Sequence, residues 1–362
     1  MVSRRHMVLG TAAACLHARA ALSKSGTGAG TDPRADAGAG ADAGAGADAG
    51  AGAGTGAGAA RKGVVLTASD VHVSGYPTVE ALRWMGTELE RESGGNLGLR
   101  VYHSGQLGRE NDTIDLARFG ALDITRINFA SLNNPFPATR ILSLPYIIDS
   151  TDHLRRVVDG PIGREILASF ERRGLVGLAI YDSGTRCFYN RRHAAAEPRA
   201  LAGLKIRVPP SDMFVGLVRA LGANPTPLSY GEIFSALQTR LIDGAENNWT
   251  TFCTSRHFEV AGFWSQTEHS YSPEALLMSK TRFDRLPARE RELVRATAAR
   301  SVPYMRKLWD AGEAHSRAVV EQAGVRVTEV DRAAFRRAAA PLVESYLQDP
   351  ELRRLYARIR AT

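Results

Sequence analysis

Residues 24 to about 60 consist largely of Gly, Ala and Asp, and the stretch Ala37-Gly38-Ala39-Gly40-Ala41-Asp42-Ala43-Gly44 recurs with little variation. Such a segment has almost no large apolar side chains to bury, so nothing offsets the entropy lost on ordering it. The composition predicts a flexible tether over residues 23–61. Silk-like stacking is the competing thought for Gly-Ala repeats, and the interspersed Asp residues argue against it. What folds must therefore lie in residues 62–362, a length that suits two domains.

The segment before the tether reads as an export signal over residues 1–22. Arg4, Arg5 and His6 precede the short apolar run Met7 to Leu16, and Ala18-Arg19-Ala20 fits an A-x-A cleavage pattern. The run is about ten residues, half of what spans a bilayer. Ser3-Arg4-Arg5 leaves the general secretory and twin-arginine routes both open. Ala12-Ala13-Ala14-Cys15 is a weak lipoprotein box without the Leu usual three positions earlier. No later apolar run reaches membrane-spanning length, so the exported chain is expected not to span a membrane.

From Val64 onward the apolar pattern switches between period 2 and period 3.6. Val64 to Ala68 reads as a strand, and Val79, Leu82, Met85 and Leu89 mark one helix face. Leu97, Leu99 and Val101 alternate as a strand. A helix over Glu110–Phe119 and a strand at Leu122–Ile127 follow. Strands recur at Leu175–Tyr181 and Leu204–Val208, and Ser211 or Asp212 is placed to cap the next helix. Ser229 and Glu232 form a capping-box pair ahead of Ile233, Leu237 and Leu241. Ala288 to about Gln322 is one long helical pattern, and helix resumes from Arg332. This alternation predicts parallel sheets covered by helices, in two α/β lobes, with the chain crossing between them near Tyr181 and again in the 240s.

The formal net charge is +8. The basic residues are mostly Arg scattered among Asp and Glu, with no run of five, which disfavours nucleic acid. G-x-S-x-G, Walker, H-E-x-x-H and post-strand G-x-G-x-x-G motifs are lacking, and nine histidines lie dispersed without metal-ligand spacing. No catalytic residue, metal or cofactor is expected. Cys187 and Cys253 read as free thiols, although spacing alone does not exclude a disulfide.

The informative residues are polar ones at strand ends, because ligands of open α/β sheets sit outside the carboxyl ends of strands. Arg207 ends an apolar strand before Pro209. Arg186 follows the turn Asp182-Ser183-Gly184. Asn128 and Asn247 follow two other strands. A lone Arg at such a place is ordinarily a surface or ion-paired residue. Several at equivalent places compete as a site, since the planar guanidinium matches a carboxylate bidentately.

These segments resemble a known family. Gly203-Leu204-Lys205-Ile206-Arg207-Val208-Pro209, Gly222-Ala223-Asn224-Pro225-Thr226-Pro227, Glu232 to Thr239 and Leu241-Ile242-Asp243-Gly244-Ala245-Glu246-Asn247 are similar in order and spacing to substrate-binding proteins of TRAP transporters, the DctP type. Ser104-Gly105-Gln106-Leu107-Gly108 and Leu144-Pro145-Tyr146 extend the resemblance upstream. It implies a two-lobed periplasmic binding protein fold with a long helix bracing both lobes, a periplasmic location, and membrane permease subunits as partners. It implies that Arg207 clamps a ligand carboxylate, that Arg186 and Asn247 assist, that Tyr230 packs on the ligand, and that Asn128 is a polar contact.

A narrower resemblance, carried by Ala68-Ser69-Asp70-Val71-His72, Gly75 to Glu80, Asp159 to Gly163, Gly244 to Trp249 and Ser255 to Glu259, points to the hexuronate-binding subgroup. Thr250-Thr251-Phe252-Cys253 departs from that pattern. A sugar acid needs a partner for each buried hydroxyl, and His72, Arg126, Asn128, Asn247 and Asn248 are the candidates. His72 is read either so or as bonded to a loop carbonyl. Trp249 is read as a neighbour of the site or as core, Glu246 as a residue that orients Arg186 or Arg207, and Glu110 as a helix-start carboxylate. An extracytoplasmic sensor module and a binder of a non-sugar carboxylate are the alternatives.

Because the tether buries nothing, deleting residues 24–60 from the exported protein is expected to leave its melting temperature and ligand affinity unchanged. A fall of several degrees in a thermal melt would show instead that the tether packs on the folded part.

Overall fold

The computed structural model describes residues 63–362; the export signal and the whole of the tether lie outside the described residues. Among the described residues, eleven strands form two sheets. The first has the order β2-β1-β3-β10-β4, from β1 (Val64–Ser69), β2 (Leu97–Tyr102), β3 (Ile124–Asn128), β4 (Leu175–Tyr181) and β10 (Glu274–Ser279). The second has the order β11-β9-β5-β8-β6-β7, from β5 (Arg186–Asn190), β6 (Lys205–Val208), β7 (Asn224–Pro227), β8 (Gly244–Asn247), β9 (Phe263–Ser270) and β11 (Arg326–Thr328).

The expected pair of α/β lobes is present, and the helix bounds Ala288–Gln322 agree with the sequence pattern. Two expectations need correction. The sheets are mixed rather than parallel: β10 runs antiparallel to both β3 and β4, and β5 antiparallel to β8 and β9. The reason is topological. A strand arriving from the other lobe has no crossover helix to bring it round, so it inserts against the direction of its neighbours. The second crossing also lies elsewhere. The strand of the 240s, β8, stays in the second sheet with β9, and the chain returns to the first sheet between Ser270 and Glu274. The first crossing, at Asp182–Thr185, is where the sequence puts it.

The 35-residue helix Ala288–Gln322 is the third link. At 1.5 Å per residue it is about 52 Å long. It packs on helix Pro77–Ser93 of the first lobe and on helix Trp249–Thr254 of the second. Its apolar face places Val294, Ala298, Met305 and Trp309 in the first-lobe core, while Val320 enters the second-lobe core beside Trp249 and Trp264. Pro303 lies inside the helix on its exposed side, where the lost N–H leaves a carbonyl within reach of water. The hydroxyls of Tyr181 and Ser301, 2.7 Å apart, tie the helix to the end of β4.

The first crossing is clamped by charge. Asp182 is 1% exposed and accepts from Arg155 Nε at 2.5 Å and from Arg306 Nε, on the long helix, at 3.1 Å. Arg155 reaches on to Asp310, and Arg306 to Asp159. Asp182→Asn keeps the shape but removes the buried charge, while each arginine keeps a second carboxylate. The expected loss is about 1–3 kcal/mol, seen as a lower urea midpoint with an unchanged slope. A midpoint identical to the parent's would show that the clamp contributes nothing.

Candidate functional site

The ends of β1, β3, β6 and β8 converge, with the starts of β5 and β10, on a cavity of about 30 Å³ between the lobes. A wider cleft of about 340 Å³ shares Glu110, Ser131, Arg207 and Tyr230 with it. Seven of the eight expected residues line the inner cavity: His72, Arg126, Asn128, Arg186, Arg207, Tyr230 and Asn247.

Arg207 is the third residue of β6, held in register with Ala245 of β8 and Thr226 of β7. Its side chain is 3% exposed. Nε donates to the Leu228 carbonyl at 2.9 Å, which leaves both terminal nitrogens available. Among the described residues no carboxylate comes within ion-pair distance of it. Burial lowers its pKa to about 10, with Arg186 pushing the same way and Glu246 opposing.

Arg186 differs from the expectation. Its fork is already taken: Nε lies 2.5 Å and Nη2 2.7 Å from the two oxygens of Glu246, and Nη2 also donates to the Glu246 carbonyl at 3.0 Å. Burial alone would raise the pKa of Glu246, but Arg186 and the hydrogen bond from His269 outweigh it and bring it to about 2. Glu246 thus orients Arg186, as one of the sequence readings has it. Only Nη1 of Arg186 remains, 3.4 Å from Asn247 Oδ1. Asn247 Oδ1 also accepts from the Asn248 amide, so its Nδ2 is the part without a protein partner among the described residues.

Arg126 is likewise committed. It is fully buried on β3 and meets three carboxylates: Asp70 at 2.5 Å, Glu110 at 2.8 Å and Glu274 at 3.4 Å. Its Nε has no hydrogen-bond partner among the described residues. Asn128 is largely used within the fold: Oδ1 accepts from Ala130 N and Ser272 Oγ, and Nδ2 donates to the Ser272 carbonyl. His72 stacks on Tyr76 with ring centroids 3.7 Å apart. Its Nδ1 lies 3.1 Å from the Tyr230 hydroxyl, a contact from one lobe to the other. Tyr230 is itself held by Ser255 at 2.5 Å. Outside, Arg109 and Glu232 form a second, exposed link across the cleft at 3.2 Å.

Asn248 does not line the cavity, which corrects the expectation. It caps helix Trp249–Thr254, accepting from Thr251 N at 2.7 Å, and donates toward Ser183 Oγ at 3.3 Å. A short polar side chain just before a helix is a cap before it is a ligand contact. Trp249 is core, stacked on Trp264 at 3.8 Å.

Two acidic wall residues escaped the sequence reading of the site, besides Val71, Ser131, Pro209 and Thr251. Glu110 begins helix Glu110–Arg118 but turns inward: Oε1 accepts from Arg126 and from the Asn128 amide, and Oε2 from Ser131 Oγ at 2.7 Å. Glu274 opens β10, opposite Asn128 and Tyr181. The signal for it was present, a single acid at the head of the apolar run Ala275-Leu276-Leu277-Met278.

Comparison with known proteins accords with this geometry. Residues 68–349 match the DctP family, bacterial extracellular solute-binding protein, family 7. A TRAP periplasmic solute-binding protein of Bradyrhizobium sp. BTAi1, in complex with D-galacturonate, is 49% identical with a TM-score of 0.81, covering 83% of this chain and 100% of that one. One from Xanthobacter autotrophicus Py2, with bound β-D-galacturonate, is 45% identical with a TM-score of 0.80, over 82% of this chain and 99% of that one. One from Roseobacter denitrificans, with bound β-D-glucuronate, is 38% identical with a TM-score of 0.80, over 83% of this chain and 100% of that one. The two lobes, the cleft between them and the match over most of the described residues agree, and the chain belongs to the DctP family of bacterial extracellular solute-binding proteins.

Proposed function

We propose that this protein is the extracytoplasmic subunit of a TRAP transporter and captures a hexuronate, galacturonate or glucuronate, by seating the ligand carboxylate on Arg207. The observation that carries this reading is the buried guanidinium of Arg207 without a carboxylate of its own. A buried unpaired charge is costly, and an incoming anion relieves it with two parallel N–H bonds. Nη1 of Arg186 and Nδ2 of Asn247 are the adjoining donors. The solved relatives with galacturonate and glucuronate bound support the choice of ligand.

The inner cavity has about the volume of one water, whereas small-ligand sites span about 300–1,000 Å³. A sugar acid must therefore draw on the outer cleft and part the His72–Tyr230 contact. Export places the protein in the periplasm, by the general secretory or the twin-arginine route, and the membrane permease subunits receive the ligand. No helix among the described residues is long and apolar enough to cross a membrane.

Arg207→Lys keeps the charge and loses the planar fork, so hexuronate binding is expected to weaken by about 2 kcal/mol or more. Calorimetric titration giving the parent's affinity would remove Arg207 from the site. In side-by-side titrations, galacturonate or glucuronate is expected to bind more tightly than succinate, and glucose hardly at all. Succinate binding best would leave the arginine and sink the sugar acid; glucose binding best would sink both.

A further inference from the structure

The two walls of the cleft are charged oppositely. On the second-lobe wall, Arg186 and Glu246 cancel, and Arg207 is left as a net cation. On the first-lobe wall a single guanidinium, Arg126, faces the three carboxylates of Asp70, Glu110 and Glu274. Asp70 is consumed by the fold, accepting also from Thr78 Oγ1 and the His72 amide. Glu110 gives its oxygens to Arg126, Asn128 and Ser131. Glu274 is different. It is 1% exposed and lines the cavity. Its Oε1 lies 3.2 Å from Ser183 Oγ and 3.5 Å from His72 Nε2. Its Oε2, fully buried, accepts no hydrogen bond from the described residues; Arg126 Nη1 lies 3.4 Å away, and that nitrogen already donates to Glu110.

We propose that Glu274 is a specificity-determining residue: its unpartnered oxygen accepts a ligand hydroxyl, and the acidic first-lobe wall it belongs to excludes ligands with a second carboxylate. The inference rests on the hexuronate reading and deepens it. A buried carboxylate oxygen without a donor favours a ligand that brings one, and a hydroxyl does so at no cost in charge. A second carboxylate turned to the same wall brings no proton and meets like charge in a poorly solvated place. With its carboxylate on Arg207, a hexuronate turns only hydroxyls and the ring oxygen toward the first lobe. A hexarate, carboxylated at both ends, turns an anion toward it. The wall thus selects a polyol with one carboxylate.

The test is titration of the full exported protein with galacturonate, glucuronate and galactarate, for the parent and for Glu274→Gln. The parent is expected to prefer a hexuronate over galactarate by about 100-fold or more. Glu274→Gln retains an acceptor oxygen but removes the charge, so hexuronate binding is expected to weaken about tenfold and the preference over galactarate to shrink. A melting temperature near the parent's shows that the variant folds; the parent's own preference tests the exclusion without any variant. Galactarate binding as tightly as the hexuronates in the parent, or hexuronate affinity untouched by a folded Glu274→Gln, overturns the proposal and leaves the hexuronate reading standing. A parent that binds neither hexuronate overturns both.

Discussion

One buried carboxylate serves two buried guanidiniums. Glu246, fully enclosed on β8, holds Arg186 in a forked pair and lends its field to Arg207. The pairing is unequal by geometry: Arg186 receives both oxygens, and Arg207 receives no contact from Glu246 at all. Had the acid been shared evenly, each arginine would be half satisfied and neither would need an outside anion. The unequal division makes one arginine part of the framework and leaves the other without a carboxylate among the described residues, which is why it is the proposed receptor. The framework arginine sits at the start of β5 and the acid near the end of β8, antiparallel neighbours, so backbone pairing fixes their approach. Arg207 is carried by β6, which pairs with β8 on its other side. Three adjacent strands therefore set these charges before any ligand arrives, so binding does not have to assemble them.

The same economy governs the links between lobes. The strand crossings at 182–185 and 271–273 lie behind the cavity, and residues flanking them, Arg186 and Glu274, are wall residues. A change in lobe angle at the crossings is thereby felt at the cavity within a few residues. Asp182, clamped to Arg155 and Arg306, ties the first crossing to the long helix, which runs through both cores. Opposite the crossings, His72–Tyr230 and Arg109–Glu232 close the mouth with one partly buried side-chain hydrogen bond and one exposed ion pair, the latter weak in water. Strong links at the back and weak ones at the mouth favour rotation about the back over separation.

Much of this was legible in the sequence, for physical reasons that differ from place to place. The helix Ala288–Gln322 stood out because its apolar stripe persists over many turns, and β4 because seven apolar or small residues run together. The Ser229–Glu232 capping box is a local motif and formed as read. By contrast β9 went unseen. Its burial alternates only over Ser265–His269, and the inward residues there, Ser265, Thr267 and His269, are polar, so hydropathy carries no trace of the alternation. Missing β9 and β10 also misplaced the second crossing. In the site, strand-end logic and resemblance located the wall residues, and Glu246 was read as orienting Arg186 or Arg207. No spacing rule reveals that Arg126 is spent on three acids, because Asp70, Glu110 and Glu274 come from segments far apart in the chain. Asn248 failed for the opposite reason: its partner is local, the amide of Thr251, and helix capping claimed it first.

The division of charge between the walls bears on how binding and closure are coupled. A ligand stabilises a closed arrangement only by the contacts it makes there and lacks when the lobes part. If both walls were cationic, an anion could be held by either lobe alone, and closing would add repulsion between the walls. With Arg207 on one lobe and surplus carboxylates on the other, the walls attract weakly when the lobes approach. A ligand carrying an anionic end and a hydroxylated end is satisfied only between them. An anion bound to Arg207 in an open cleft leaves Glu274 without a donor, and a neutral sugar against the first lobe leaves Arg207 without an acceptor. In the proposed site only a ligand with both ends spans the gap, so the arrangement proposed to give selectivity would also make closure depend on the ligand.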